Sequence, residues 1–296
     1  MLRRAVSRLI LLFVLVGFRG SAGPLPGTGF LQDFSFHGHG RLFGGFSAIH
    51  LSADGTQFIS VSDHGAFVTG RFDRDAAGRI LSISTGAVTP LLGHEGKKLR
   101  PGRTDSEGLA LASDGTAYIS FEGPARVLVY PKLGGMANNL PSPAAFAKMQ
   151  DNRALEALAI GPDGTLYTMP EDAGGVGHDF PVYRFANGTW DQPFTIHRLG
   201  NFLISDATFG PDGRFYVLER EFLGLGGFAT RVLRFDLGPD GLTNETLLIQ
   251  TEPGTFDNLE GLSVWRDAKG LRATMVSDNN FIAFFRSQIV EYRLPD

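Results

Sequence analysis

Asp105-Ser106-Glu107-Gly108-Leu109-Ala110-Leu111-Ala112-Ser113-Asp114-Gly115-Thr116-Ala117-Tyr118-Ile119-Ser120-Phe121-Glu122 sets two short runs of small and apolar residues on either side of an Asp-Gly. Asp and Gly tolerate the positive φ angles of a tight hairpin turn, so the stretch predicts two antiparallel strands. With Asp114-Gly115 as a two-residue loop, Ser113 faces Thr116, and counting outward brings Glu107 opposite Glu122. Like charges across a ladder repel, so such a pair calls for a metal ion, protons or a cationic group.

The same pattern occurs five times. The copies are Phe46-Ser47-Ala48-Ile49 running to Asp54-Gly55, the Glu107 copy, Leu155-Glu156-Ala157-Leu158 running to Asp163-Gly164, Ile204-Ser205-Asp206-Ala207 running to Asp212-Gly213, and Leu259-Glu260-Gly261-Leu262 running to Asp267. The turn aspartates Asp54, Asp114, Asp163, Asp212 and Asp267 are spaced by 60, 49, 49 and 55 residues, close to the period of a four-stranded propeller blade. A further strand follows each of the later hairpins, as in Ala125 to Tyr130, Pro181 to Phe185, Thr230 to Phe235 and Gln288 to Arg293. The fifth unit runs out of chain, while Phe30 to Phe36 stands unpaired before the first. Joining the two predicts an all-β, five-bladed β-propeller whose N-terminal strand closes the last blade and removes an open edge. Six blades remain the alternative if Arg71 to Leu92, or the loop to Arg103, holds more strands.

Composition suits such a fold: of 296 residues, 39 are Gly and 25 are Phe, and 43% are hydrophobic. The formal net charge of -4 gives no reason to expect nucleic acid as a partner. With no cysteine, thiolate catalysis and Cys-ligated metal are excluded. Met1 to Arg8 is basic, Leu9 to Val16 apolar, and Gly20-Ser21-Ala22 small, which reads as a signal peptide over residues 1–22. Expected after cleavage is one propeller domain over 23–296, periplasmic or secreted, monomeric and without a membrane span, since no later apolar run reaches about 18 residues.

Carrying the register count to every copy places Glu156 opposite Glu171, Asp206 opposite Glu219 and, through a three-residue loop Ala268-Lys269-Gly270, Glu260 opposite Asp278. In the first copy Ser47 faces Ser62, with Asp63 one residue beyond. All these ends belong at one mouth of a central channel. The expected ring is Asp63, Glu107, Glu122, Glu156, Glu171, Asp206, Glu219, Glu260 and Asp278, with Asn279 as a neutral ligand. Hard oxygen donors in a ring suit Ca²⁺ better than zinc or copper. Glu107, Glu156, Glu260 and His64 are the candidate catalytic groups, and blade-end acids repeated by duplication would give the same spacing without chemistry. The basic loop Lys97, Lys98, Arg100 and Arg103 leads straight into Asp105, so Arg100, Arg103 and Arg220 are candidate contacts for a small anionic substrate. The Gly-rich run Leu223 to Gly227 lacks the strand-to-helix setting of a phosphate loop, and no Gly-x-Ser-x-Gly elbow occurs.

Asp105-Ser106-Glu107-Gly108-Leu109, Leu155-Glu156-Ala157-Leu158, Asp212 to Glu221, and Asn258-Leu259-Glu260-Gly261-Leu262 with Val276-Ser277-Asp278-Asn279-Asn280 resemble the bacterial phytase-like family with esterase-like activity. That resemblance, from about Gly44 to Leu294, implies an exported, metal-dependent hydrolase of phosphoesters. More distantly, Glu260, Asn279 and Asp278 are similar to the metal sites of calcium-dependent propeller lactonases of the paraoxonase and gluconolactonase type, which implies a lactonase or carboxylesterase as the alternative. A non-catalytic periplasmic binding propeller is the alternative outside enzymology. Phe281, Phe284 and Phe285 would give the mouth an apolar rim suited to a lactone or other ester.

Overall fold

Each turn aspartate that marks a repeat takes a backbone hydrogen bond from two residues on: Thr56, Thr116, Thr165, Arg214 and Lys269 N–H donate to Asp54, Asp114, Asp163, Asp212 and Asp267 at 3.0, 2.9, 3.1, 3.3 and 2.7 Å. This side-chain turn is why aspartate recurs there. In the second, third and fourth repeats the loop is three residues long, not two. Ala112, Gly161 and Gly210 N–H donate to the Thr116, Thr165 and Arg214 carbonyls, and Gly115, Gly164 and Gly213 take φ of 88°, 83° and 76°. The fifth hairpin has two loop residues, not three, since Asp267 pairs with Gly270.

The computed structural model describes residues 28–36, 38, 43–239, 241–281 and 285–296. The leader reading of residues 1–22 and the rim residue Phe284 lie outside them. Strand β1 (Phe30–Ser35) precedes five blades. Blade 1 holds β2 (Phe46–Leu51), β3 (Gln57–Ser62), β4 (Ala66–Arg74) and β5 (Ile80–Thr85), with β6 (Thr89–Pro90) also on β4. Blade 2 holds β7 (Ser106–Leu111), β8 (Ala117–Phe121), β9 (Arg126–Tyr130) and β10 (Asn138–Asn139). Blade 3 is β11 (Leu155–Ile160), β12 (Leu166–Pro170), β13 (Phe180–Ala186) and β14 (Thr189–Ile196). Blade 4 is β15 (Leu203–Phe209), β16 (Phe215–Phe222), β17 (Phe228–Gly238) and β18 (Gly241–Gln250). Blade 5 is β19 (Asn258–Asp267), β20 (Gly270–Asp278) and β21 (Gln288–Arg293), completed by β1 antiparallel to β21. The five-bladed propeller and its closure by the N-terminal strand are therefore as the repeats predict, and no sixth blade forms from 71–103.

Why the strands are nearly all apolar follows from where the cores lie. Alternate residues of a strand point to opposite faces, and here both faces are covered by neighbouring blades. In β16, Phe215 and Val217 pack with blade 3 residues Tyr167 and Met169, while Tyr216 and Leu218 pack with blade 5 residues Leu262 and Met275. Five such clusters fill the five gaps between blades. A buried ionic knot locks the closing gap. Glu291 of β21, fully buried, accepts from Arg74 of β4 at 2.8 and 2.9 Å, from Gln32 of β1 at 2.6 Å, from Thr274 of β20 at 2.8 Å and from Arg272.

One irregularity decides what the channel mouth looks like. Every innermost strand carries a β-bulge near its start, between Phe46 and Ala48, Ser106 and Leu109, Leu155 and Ala157, Ile204 and Asp206, and Leu259 and Gly261. The extra residue shifts the pairing beyond it. Together with the turn lengths, it removes all four facing pairs expected from the count. Asp105, not Glu107, stands opposite Glu122; Ala154, not Glu156, opposite Glu171; and Asn258, not Glu260, opposite Asp278. In blade 4, Ile204 and not Asp206 stands opposite Glu219. A glycine follows the bulged residue where blades crowd: a Cβ on Gly108 would lie 2.5 Å from Leu158 N, and one on Gly261 2.7 Å from Ala48 Cα.

Candidate active site

The bulge places Ser47, Glu107, Glu156, Ser205 and Glu260 at equivalent positions of the five innermost strands. The second strand of each blade ends at the same level in Asp63, Glu122, Glu171, Arg220 and Asp278. Four blades thus supply an acid and the fourth supplies an arginine. Arg220 donates to Glu260, to Asn258 at 2.6 Å, to Glu171 at 2.9 Å and to Glu156 at 3.4 Å. Burial opposes its charge, yet Glu260, Glu156 and Glu171 raise its pKa above the ordinary arginine value.

On the other side of the mouth no cation among the described residues pairs directly with the acids, although the Arg220 charge reaches Glu122 and the His64 and Arg126 charges reach Asp105. Single carboxylate oxygens of Asp105, Glu107 and Glu122 lie within 4.8 Å of one another. Glu107 and Glu122 are buried at 7% and 6% exposure, and neither forms an ion pair among the described residues. Burial, then the charge of Asp105, Glu260, Glu122 and Asp63, pushes the Glu107 carboxyl well above its usual range. Burial drives Glu122 up to about 8 against a hydrogen bond from Ala154 N–H at 2.8 Å. Asp105 rises for the same first reason, with Asp63 adding to it. In the Arg220 half, burial raises Glu156 well above its usual range and Glu260 to about 8, although Arg220 holds both down. Asp278 is raised to about 7 by burial and by Asp63, against the Asn280 N–H bond at 2.6 Å. Protons, or a bound cation, must compensate so many acids.

At the open edge, Asp63 Oδ1 and His64 Nδ1 lie 2.6 Å apart, and the His64 ring packs edge-on to Phe281 at 4.3 Å. Asp63, His64 and Asp105 line a cavity of about 600 Å³ with Gly102, Thr104, Gly123, Pro124, Asp151 and Asn152. Asp105 therefore joins the solvent-facing dyad to the buried carboxylates behind it. Arg100 and Arg103 sit on the same loop as Thr104 and Asp105 but face a neighbouring cavity.

Three sequence-predicted ligands fall elsewhere. Asp206 points between strands and accepts from Leu262 N–H at 2.7 Å and Ala207 N–H at 2.8 Å, stapling blade 4 to blade 5. Glu219 is fully buried against Arg231 of β17 and away from the channel. Asn279 spends its side-chain oxygen on Gly45 and Phe281 N–H groups, both at 3.1 Å. Asp63, Glu107, Glu122, Glu156, Glu171, Glu260 and Asp278 do converge. Arg220 comes to the ring as the counter-ion of three acids, Glu156, Glu171 and Glu260. Missing from the predicted set are Asp105 and Asn258, the partners of Glu122 and Asp278. A signal for the blade 4 exchange was present: the residue eight after the turn aspartate is Glu122, Glu171 and Arg220 in blades 2 to 4, and the residue seven before it is Glu107, Glu156 and Ser205.

A sequence profile of the phytase-like family, described as esterase-like activity of phytase, matches residues 41–281. No curated protein matches the chain. Similar solved structures include a gluconolactonase from Xanthomonas campestris, at 14% identity and a TM-score of 0.45 over 84% of this chain and 72% of that one. A chain of a nidogen/laminin complex matches at 14% identity and a TM-score of 0.45, over 75% of this chain and 70% of that one. Likenesses this distant carry no argument about chemistry.

Proposed function

The chain belongs to the phytase-like family described by esterase-like activity of phytase, and on that basis we propose that it hydrolyses phosphate esters in the cavity formed by Asp63, His64 and Asp105. The observation that carries this reading is an Asp–His pair lining one cavity with Asp105, whose carboxylate oxygen lies within 4.8 Å of those of the buried Glu107 and Glu122. Asp105, Glu107 and Glu122 offer hard oxygen donors at a spacing a single divalent cation fits, and Ca²⁺ suits them. Such an ion would supply Lewis acidity toward an ester oxygen and offset the negative charge of the cavity.

The protein's own groups do the rest. A carboxylate can only accept, so Asp63 holds the His64 Nδ1 proton and leaves Nε2 as an acceptor. Nε2 takes the proton of the attacking water and returns it to the leaving oxygen. Glu156 and Glu260 are tied to Arg220, which leaves them as scaffold rather than base. Cations on the Arg100 to Arg103 loop, beside Asp105, favour an anionic ester. Phe281 against His64 favours a lactone or carboxylic ester as the second reading. The basic-apolar-small N-terminus supports export, and no helix among the described residues is long and apolar enough to cross a membrane.

The test is a hydrolysis panel of p-nitrophenyl phosphate, bis-p-nitrophenyl phosphate, phytate, a carboxylic ester and a lactone, with and without added Ca²⁺. Phosphoester turnover lost in both Glu107→Gln and His64→Gln is the expected result. Turnover of the lactone or carboxylic ester alone would replace the phosphoester reading, and no turnover at all would leave a binding propeller.

A further inference from the structure

Beside the hydrolytic cavity, on the flank of blade 2, lies a second cavity of about 390 Å³, lined by His94, Lys97, Lys98, Arg100, Arg103 and Arg126 and by one acid, Glu95. Glu95 is already engaged, with Lys97 at 3.0 Å and His94 at 3.7 Å. Lys98, Arg100, Arg103 and Arg126 have no ion-pair partner among the described residues. The decisive group is Arg126. It is 7% exposed, it donates to two carbonyls, Pro124 O at 2.9 Å and Arg103 O at 2.6 Å, and its guanidinium lies 4.2 Å over the Phe121 ring. None of these partners carries a full negative charge. Burial, then the Arg103 charge, pulls its pKa down to about 10, although Tyr130 and Asp105 work against the fall.

A buried cation with no ion-paired anion is destabilising unless something in the cavity offsets it. We infer that this cavity is an anion site for a phosphoryl group, held by Arg126 at its base and by Lys98, Arg100 and Arg103 around it. Guanidinium forks match phosphoryl oxygens in pairs, and ammonium groups add charge without geometry. A monoanion such as acetate gains less, because one charge cannot offset four. The loop from Arg100 to Asp105 separates the two cavities: Arg100 and Arg103 line this one, and Gly102, Thr104 and Asp105 line the other. An anion held here stands one loop away from the hydrolytic cavity, and its source is either the phosphoryl group of a substrate or free phosphate. The inference stands on Arg126 and its neighbours and does not depend on hydrolysis.

Calorimetric titration of the full chain with inorganic phosphate decides it, on protein stripped of metal over a chelating resin and at low ionic strength. Saturable binding is expected, tighter than for acetate and weakening as salt screens the site. Arg126→Gln, and separately the exposed pair Lys98→Ala with Arg100→Ala, should each weaken it about tenfold, a change of ~1.4 kcal/mol. Because the Lys98 and Arg100 pair is exposed, its melting temperature checks that the loss is not unfolding. Glu107→Gln should leave phosphate binding in place, so a protein that binds phosphate but hydrolyses nothing would keep this site and sink the hydrolase. A raised KM for p-nitrophenyl phosphate at constant kcat in the Lys98 and Arg100 variant would make the substrate the source of the anion. Phosphate binding with an unchanged KM would make it free phosphate, and either supports the site. No saturable binding, or binding indifferent to both sets of substitutions, overturns it.

Discussion

Replacing Arg220 with methionine keeps most of the side-chain length and removes the cation that pairs with Glu156, Glu171 and Glu260 in the acid ring. The wild-type guanidinium serves Glu260, Asn258, Glu171 and Glu156, and its side chain is only 16% exposed. Removing one partner of a buried ion pair costs about 3–5 kcal/mol, because the other charge is left stranded. Protons set how much of that cost appears. A carboxyl whose folded pKa lies above its unfolded value binds more protons when folded, so the fold loses stability as pH rises from the unfolded value through the folded one. Glu260, at about 8 in the fold, spends that window between pH ~4.5 and ~8. Arg220 is what holds Glu260 and Glu156 down, so Arg220→Met raises both further and its penalty is largest near pH 8. Urea denaturation of metal-free protein should show a loss of about 3–5 kcal/mol at pH 8 and less than half of that near pH 5. Added Ca²⁺ should recover part of the loss at pH 8, since Glu156, Glu171 and Glu260 would then be open to a hard cation. A variant within about 1 kcal/mol of wild type at pH 8, with no added response to Ca²⁺, would refute the account of Arg220 as a tethered counter-ion.

Three further outcomes are expected. Ca²⁺ binding to metal-free protein at about pH 6.5 should release at least one proton, because Glu122, held at about 8, is mostly protonated there and must ionise to act as a ligand; an indicator-dye titration showing none would remove Glu122 from the metal site. His64→Gln should lower kcat by about 10²–10⁴ with little change in melting temperature, as expected for an exposed general base; unchanged kcat would dismiss the Asp63–His64 pair from catalysis. Glu291→Ala should cost about 3–5 kcal/mol by stranding Arg74 and Arg272 in the closing gap. Burial would raise the Glu291 carboxyl, but Arg74 and Arg272 hold it below its usual value, so its contribution is present above pH ~4.5 and fades as pH falls through the folded value. Acid denaturation midpoints of wild type and variant that coincide would contradict this.

Much of the fold was legible because it rests on local chemistry. Asp54, Asp114, Asp163, Asp212 and Asp267 mark turns wherever they occur, since each side chain caps its own loop. The orphaned strand at Phe30 and the short fifth unit had one economical solution, and β1 on β21 is that solution. Membership of the site was less legible. Asp206 and Glu219 were expected in the ring because the register count set them opposite each other, yet each lies one residue out of phase with its counterparts in other blades. In a strand, one residue is the difference between opposite faces. Asp206 therefore turns to the backbone of blade 5, Glu219 to Arg231, and Ser205 and Arg220 take the ring positions.

By itself the sequence determined the repeat, the closure by the N-terminal strand and a mouth rich in acids, because turn residues and two-residue periodicity act over a few neighbours; the choice of five blades over six came with the strand pairing. Only the tertiary structure decided which acids meet. Loop lengths and the five bulges shift the register beyond each turn, and long-range packing brings Arg220 of blade 4 onto Glu156, Glu171 and Glu260 of blades 3 and 5. That contact offsets part of the charge in one half of the ring and leaves Asp105, Glu107 and Glu122 as the half with no ion-paired cation among the described residues.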